Sequence, residues 1–286
     1  MRFDRNTKIL IIGLGLIGGS YAAALSEKGF LVGAVEKRQS ALDFALEKGW
    51  ITRGVTVPDP AFLSEYDLLV FALYPHDVVR FAEENQSYFK KGALLTDVTG
   101  VKCGVVDAVQ AILRPDLEFI GAHPMAGREV SGVENADPAL FRGANFIITP
   151  TEKNSDEAVE TCRELGAFLG CGRISCLTPA AHDEMVGFLS QLTHCIAVCL
   201  MDCKNAEHLA DYTGDSFRDL TRIAKINDGM WSELFLLNKK ELLAGMDRFA
   251  DTFAALRGYI EAGDVAAIRQ MMRLSTERRR YFDEHR

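Results

Sequence analysis

KILIIGLGLIGGSYAAALSEKGFLVGAVE, residues 8–36, decides how this chain folds. An apolar run over residues 8–12 ends in Gly13-Leu14-Gly15-Leu16-Ile17-Gly18, and a helical pattern follows over residues 20–28. A second apolar run, residues 30–35, ends in an acid, Glu36. Strand, glycine turn, helix, strand and acid in this order form the setting in which a GxGxxG run binds a dinucleotide. Gly13 permits the sharp turn, Gly15 has no Cβ to obstruct a pyrophosphate, and Gly18 lets helix and strand pack closely. The helix N-terminus offers the phosphates backbone N–H groups without intrahelical partners, and Leu16 and Ile17 join the cofactor-binding set. Glu36 follows Gly18 by 18 residues, and an acid about 20 residues on accepts hydrogen bonds from a ribose 2′-hydroxyl. Such a carboxylate repels a 2′-phosphate, so the expected cofactor is NAD rather than NADP. Lys37 and Arg38 follow at once and work against that choice; Lys37 joins the cofactor-binding set. Arg2, Arg5 and Lys8 ahead of an apolar run also resemble a signal peptide, but three glycines and a serine interrupt the run, and the second strand follows in register.

Composition narrows the class further. The 286 residues suffice for two domains with real cores, and 25% charged with 48% hydrophobic residues is ordinary for a globular protein. A net charge of −8 argues against nucleic acid or an anionic membrane as partner. Apart from the glycine stretch, no apolar run reads as long enough to span a bilayer. Seven cysteines without a CxxC pair point to neither a disulfide framework nor a zinc knuckle, so a cytoplasmic setting is expected.

Past Glu36, strands are expected at residues 67–73, 92–96, 118–121, 144–149 and 172–176. Helices are expected at 41–48, 76–89, 101–113 and 155–169. This alternation implies an α/β fold with a doubly wound parallel sheet and ligands outside the strand C-termini. From Pro179 only helical patterns remain, over residues 180–204, 217–227, 230–262 and 265–282. A boundary is therefore expected near 177, between an α/β domain (1–177) and an all-helical one (178–286). The uninterrupted pattern over 230–262 exceeds the usual length of a globular helix and points to packing against a second copy.

His123 is the leading candidate for chemistry. It directly follows the strand expected at 118–121, at the sheet edge where a nicotinamide lies. An imidazole with a pKa near ~6.5 can take a proton from an alcohol as hydride leaves its carbon. His182, Ser190 and His194 share one helical stretch, the two histidines a little over three turns apart and so facing roughly one way. No HExxH or i, i+4 histidine pair is present, so no metal is expected. Arg222, set among Leu220, Thr221, Ile223 and Ala224, reads as partly buried and suited to clamping a carboxylate. Cys195, Cys199 and Cys203 recur every four residues as a packing stripe.

GLGLIGGS at 13–20, TDVTGVK at 96–102, GAHPMAGREVSGVE at 121–134 and HDEMVGFLSQLTH at 182–194 together resemble the prephenate dehydrogenase family, which includes prephenate, arogenate and cyclohexadienyl dehydrogenases. SFRDLTRIA at 216–224, with Trp231 after it, supports the match. The resemblance implies a Rossmann-type domain with a C-terminal helical dimerisation domain, and hence a homodimer. It further implies that His123 polarises the substrate hydroxyl, Arg222 anchors a substrate carboxylate, and Glu129 orders the pocket. Ser190, His194, His182, Asp183 and Trp231 would line or brace the site. Many members have serine where Gly100 stands here; Thr99, a water or Lys102 would then have to replace its hydroxyl, and Thr99 is placed in the substrate-binding set. Some members carry a further C-terminal regulatory domain, and tyrosine control through one is not expected with the chain ending at Arg286.

The implied reaction is NAD-dependent oxidative decarboxylation of prephenate to 4-hydroxyphenylpyruvate, in tyrosine biosynthesis, with arogenate as the alternative substrate. Two competing classes remain. A 3-hydroxyacid-type dehydrogenase would use a helical-domain lysine, for which Lys225 is the one nearby candidate. A non-catalytic NAD-sensing module would need no pocket joining His123 to Arg222.

Overall fold

The computed structural model describes residues 3–205 and 207–284. The first βαβ unit is β1 (Lys8–Ile12), α1 (Leu16–Glu27) and β2 (Leu31–Val35). The chain continues through α2 (Gln39–Glu47), β3 (Arg53–Val55), α3 (Pro60–Leu63), β4 (Leu68–Phe71) and α4 (Pro75–Asn85). Next come β5 (Leu94–Asp97), α5 (Cys103–Ile112), β6 (Glu118–Pro124), β7 (Asn145–Thr149), α6 (Asp156–Phe168) and β8 (Arg173–Cys176). Helices follow: α7 (Pro179–Val186), α8 (Leu192–Asp202), α9 (Asp215–Thr221), α10 (Asp228–Leu237), α11 (Lys239–Ala262) and α12 (Val265–Glu284).

The eight strands form one sheet in the order β3-β2-β1-β4-β5-β6-β7-β8. Its first six positions follow the doubly wound order, with the reversal between β1 and β4 where dinucleotides bind. Both faces are covered, and β1 supplies both. Ile9 and Ile11 join one buried cluster, with Phe30, Phe146 and Leu165, while Leu10 and Ile12 join the other, with Phe71, Val106 and Phe119. Successive strand residues point to opposite faces, so a strand sandwiched between helix layers must be apolar throughout. That is why KILII carries no polar alternation.

The sheet corrects the expectation in two places. The short strand β3 pairs with β2 over Gly33–Val35 and Arg53–Val55, and its three residues are too few to show a period. The sheet is also not wholly parallel, because β7 runs antiparallel to β6, with His123 opposite Ile147. No crossover α-helix separates β6 from β7, and a chain returning to its neighbour without one must reverse direction.

By their contacts, Met1–Asn238 form one compact unit and Lys239–Arg286 a second. Secondary structure changes character between β8 and α7, near residue 177, yet α7 to α10 belong to the same compact unit as the sheet. The long helix expected over 230–262 is two helices, interrupted at Asn238 (φ −106°, ψ 27°). The buried Asn238 amide donates to the Asp183 carbonyl and to Gln191 Oε1, both at 2.8 Å. Those two bonds hold the Asn238 side chain in place at the break. Between α7 and α8, Gly187–Gln191 form a π-helical turn, so 179–202 is one apolar rod with a wide turn inside it. That rod is long and apolar enough by composition to cross a bilayer, contrary to the sequence reading, but it carries His182 and Asp183, both buried in the protein. In the second unit, α11 and α12 pack as a hairpin. Gly263 (φ +66°) and Asp264 turn the chain by donating N–H groups to the carbonyls of Ile260 and Tyr259.

Candidate active site

The glycine turn is built as its residues require. Gly13 has φ +97°, and a Cβ there would lie 2.6 Å from the Ala72 carbonyl oxygen; one on Gly18 would lie 1.9 Å from the carbonyl oxygen of Gly13. Gly15 is different, because nothing lies within 4 Å of where its Cβ would be. Gly15 is also the N-cap of α1, with no side-chain cap, so the first N–H groups, at Leu16, Ile17 and Gly18, meet no capping oxygen. Open space before an uncapped helix N-terminus fits a pyrophosphate. Glu36, at the end of β2, is buried: Oε2 accepts the Leu14 N–H at 2.8 Å and Oε1 accepts that of Arg38 at 3.0 Å. Each oxygen keeps a second lone pair for a ribose hydroxyl. Arg38 Nε lies 3.5 Å from Glu36 Oε1, while Lys37 is exposed.

His123 stands near the end of β6, partly exposed, at the same C-terminal sheet edge. The residue before it is fixed on both sides. The N–H of Ala122 donates to Asp97 Oδ1 at 3.1 Å, and its carbonyl accepts from Lys102 Nζ at 2.6 Å. Lys102 and Asp97 are fully buried and paired at 2.6 Å. Where β5 ends, these two side chains take over the pairing that its backbone no longer provides. A Cβ on Gly121 would lie 3.2 Å from Lys102 Cδ and 2.4 Å from Thr149 Oγ1, so glycine gives the lysine its passage. Burial pulls the Lys102 pKa down, against the opposing pull of Asp97.

Behind His123 lies His182. Nδ1 of His123 is 2.9 Å from Nε2 of His182, and Nδ1 of His182 is 2.8 Å from Oδ1 of Asp183. Asp183 in turn accepts the N–H groups of Lys102 and Cys103, each at 2.8 Å. Those donors open α5, where a carboxylate is favoured by the helix dipole. Burial lowers the pKa of His123 well below the ordinary histidine value, and the charges of His182 and Lys102 add to it. For Asp183, burial pushes upward, but the His182 hydrogen bond and the two N–H groups outweigh it, and the net shift is down.

The remaining expected residues divide. His194 stacks on Trp231 with centroids 3.8 Å apart and donates from Nδ1 to the Ser190 carbonyl at 2.8 Å. Ser190 itself lies in the π-helical turn. Twelve residues at 3.6 per turn overshoot three full turns by a third, and the wider π turn takes up part of that excess. Arg222 forms an ion pair with Glu129, but it is exposed rather than partly buried as its apolar neighbours implied. At Arg222 the chain passes from α9 into a 3-10 turn, and Leu220 beside it is itself exposed, so the apolar neighbours in sequence do not enclose the arginine. His182 is fully buried and holds His123 instead of lining a pocket. Thr99 is buried too, its hydroxyl engaged between Asp97 and the Val101 carbonyl (2.8 Å), and therefore not free to replace a missing serine. Position 100 has room for a side chain: a Cβ there would lie 3.8 Å from His123 Cε1 and 3.6 Å from Leu234. The Asp97–Lys102 pair escaped sequence reasoning, although two charges in a stretch bounded by a strand and a helix were a signal.

A family model described as the prephenate dehydrogenase nucleotide-binding domain matches residues 22–174, and one described as its dimerization domain matches 178–274. The chain belongs to the prephenate dehydrogenase family. It is similar to the prephenate dehydrogenase of Bacillus subtilis, 30% identical over 268 residues, covering 90% of this chain and 71% of that one. The cyclohexadienyl dehydrogenase of Zymomonas mobilis is 28% identical over 265 residues, covering 90% and 89%. Among solved structures, prephenate dehydrogenase from Aquifex aeolicus in complex with hydroxyphenyl propionate and NAD+ superposes with a TM-score of 0.89 at 26% identity, covering 98% of this chain and all of that one. An arogenate dehydrogenase from Synechocystis shares the fold at a TM-score of 0.82 and 24% identity. The nucleotide-binding match begins at residue 22, past the glycine turn, so the case for Gly13, Gly15 and Gly18 rests on their geometry.

Proposed function

We propose that this oxidoreductase carries out NAD-dependent oxidative decarboxylation of prephenate to 4-hydroxyphenylpyruvate, as a homodimer. The observation that carries the reading is the partly exposed imidazole of His123 at the C-terminal edge of the sheet, with its Nδ1 side already engaged by His182. That arrangement leaves Nε2 to meet a substrate hydroxyl.

Gly15, the opening N–H groups of α1 and the Glu36 carboxylate are the groups that would hold the dinucleotide. When bound, NAD⁺ supplies the acceptor for a hydride from the carbinol carbon of the substrate. His123 accepts the hydroxyl proton as that C–H bond breaks. The ring carboxylate departs as CO₂, its bonding pair completes the aromatic ring, and His123 returns the proton to the phenolate oxygen. Protons balance, so His123 ends as it began. Arg222 anchors a substrate carboxylate through charge-assisted hydrogen bonds, and the His194–Trp231 stack offers a flat surface for the ring.

His123→Asn is expected to bind NAD as before and to lose about 10²–10⁴ in kcat. Unchanged turnover would dismiss His123 as the proton acceptor. The substrate is decided by following reduced nicotinamide absorbance with prephenate, arogenate and a 3-hydroxyacid in turn. Arogenate remains the second reading, because the relatives include a cyclohexadienyl dehydrogenase and a probable arogenate/prephenate dehydrogenase from Methanocaldococcus jannaschii.

A further inference from the structure

The line of contacts behind His123 fixes more than its position. Asp183 faces N–H donors only: Lys102 and Cys103 from the start of α5, and the His182 ring. A carboxylate surrounded in this way is an acceptor, so the proton in the His182–Asp183 bond sits on Nδ1 of His182. His182 is fully enclosed, and burial disfavours its charged form, which leaves its Nε2 as a bare lone pair. The 2.9 Å contact with His123 then has one donor available, Nδ1–H of His123. A neutral His123 that carries its proton on Nδ1 has its lone pair on Nε2.

We propose that His182, held by Asp183, is a positioning residue that locks His123 in the Nδ1–H tautomer and so makes Nε2 the base. The proposal rests on the reading that His123 takes the substrate's hydroxyl proton. In water neutral histidine prefers the other tautomer, with Nε2 protonated and useless as an acceptor. His182 removes that competing form and fixes the ring plane, the rings meeting edge-on at 61° with centroids 5.1 Å apart. Once Nε2 has taken a proton, the His123 imidazolium donates from Nδ1 to a ring whose far side faces a carboxylate. Besides His182 and Asp183, the ionisable groups coupled to the pair are Lys102 and Asp97, already paired with each other. From α10, Leu234 presents only methyl groups toward position 100, beside His123.

The tautomer is read directly in the intact protein. Long-range ¹H–¹⁵N correlation spectra of uniformly ¹⁵N-labelled enzyme at neutral pH, without substrate, should show both His123 and His182 protonated at Nδ1 and bare at Nε2. A His123 protonated at Nε2 overturns the proposal, and no variant has to fold for that result to be obtained. Kinetics supply the second arm. His182→Asn keeps a hydrogen-bonding group beside Asp183 but does not reach His123. It should lower kcat by at least about tenfold, leave the KM for prephenate unchanged, and move the acid limb of the kcat–pH profile. Because His182 acts through His123, the double variant with His123→Asn should be no slower than His123→Asn alone. Native turnover and pH profile in His182→Asn, or a further loss in the double variant, overturns the proposal. A His123→Asn enzyme with full turnover would instead sink the assignment of His123 as base, and the spectra would still report on the tautomer.

Discussion

Arg222 and Glu129 form an ion pair in which the arginine side chain is 63% exposed and the glutamate 32%. Exposed pairs contribute about 0–1 kcal/mol to stability, so this contact does little to hold the fold. A charge-assisted hydrogen bond to a substrate carboxylate is worth about 1.5–3 kcal/mol. Arg222→Ala is therefore expected to raise the KM for prephenate by roughly 10- to 150-fold while Tm stays close to native. Steady-state kinetics beside a melting curve separate the two effects, and a normal KM would refute the clamp. The histidines behave in the opposite way, because they act on stability. His123 and His182 both have pKa values lowered chiefly by burial. The unfolded chain therefore binds more protons than the folded one below the ordinary value of about 6.5, and stability falls as pH drops through that point. Each ring can contribute up to about 1.4 kcal/mol per pH unit until its folded pKa is reached. Urea midpoints at pH 7.5 and 5.5 test this, with a lower midpoint expected at 5.5; equal midpoints would mean that the fold does not hold the two rings neutral.

At the scale of elements, the loop from β5 to α5 holds the site together. It brings Asp97 and Lys102 to the Ala122 peptide groups, and its last N–H groups to Asp183. Lys102→Met would leave Asp97 buried without its cation and the Ala122 carbonyl without its donor. Breaking a buried pair from one side costs about 3–5 kcal/mol, and denaturant unfolding should show a loss of that order. A loss below about 1 kcal/mol would mean water reaches the pair. This loop also marks how far the sequence could be read. The glycine turn, the apolar strands and the adjacent His123-Pro124 were legible because each follows from local pattern. The fates of Thr99, His182 and Lys102 were not, since burial on both sides of a loop depends on α7 and β6, which are distant in sequence. The Asn238 break was hidden for the same reason: asparagine within a helical pattern says little until Asp183 and Gln191 stand beside it. The direction of β7 was open to inference, because a connection without helical periodicity favours reversal.

At the scale of the whole molecule, the question is what covers the helices of the second unit. On α11, Phe249, Phe253, Leu256 and Ile260 fall at i, i+4, i+7 and i+11, which is one helix face. Phe249 is 41% exposed, and Phe253 and Ile260 are each 62% exposed. Contiguous exposed apolar surface of this kind marks an interaction site. The stripe lies inside the segment matched by the family's dimerization domain, which makes a second copy its natural cover. A buried interface aromatic at a hot spot contributes about 2 kcal/mol or more, so Phe253→Asp should weaken the dimer by at least about thirtyfold, with the added cost of a buried carboxylate. Sedimentation equilibrium across a concentration series should show native dimer where the variant is monomer. Far-UV circular dichroism should keep its helical signal, since an exposed position on a lone chain tolerates the change. A variant that dimerises as tightly as native would move the interface away from this face of α11.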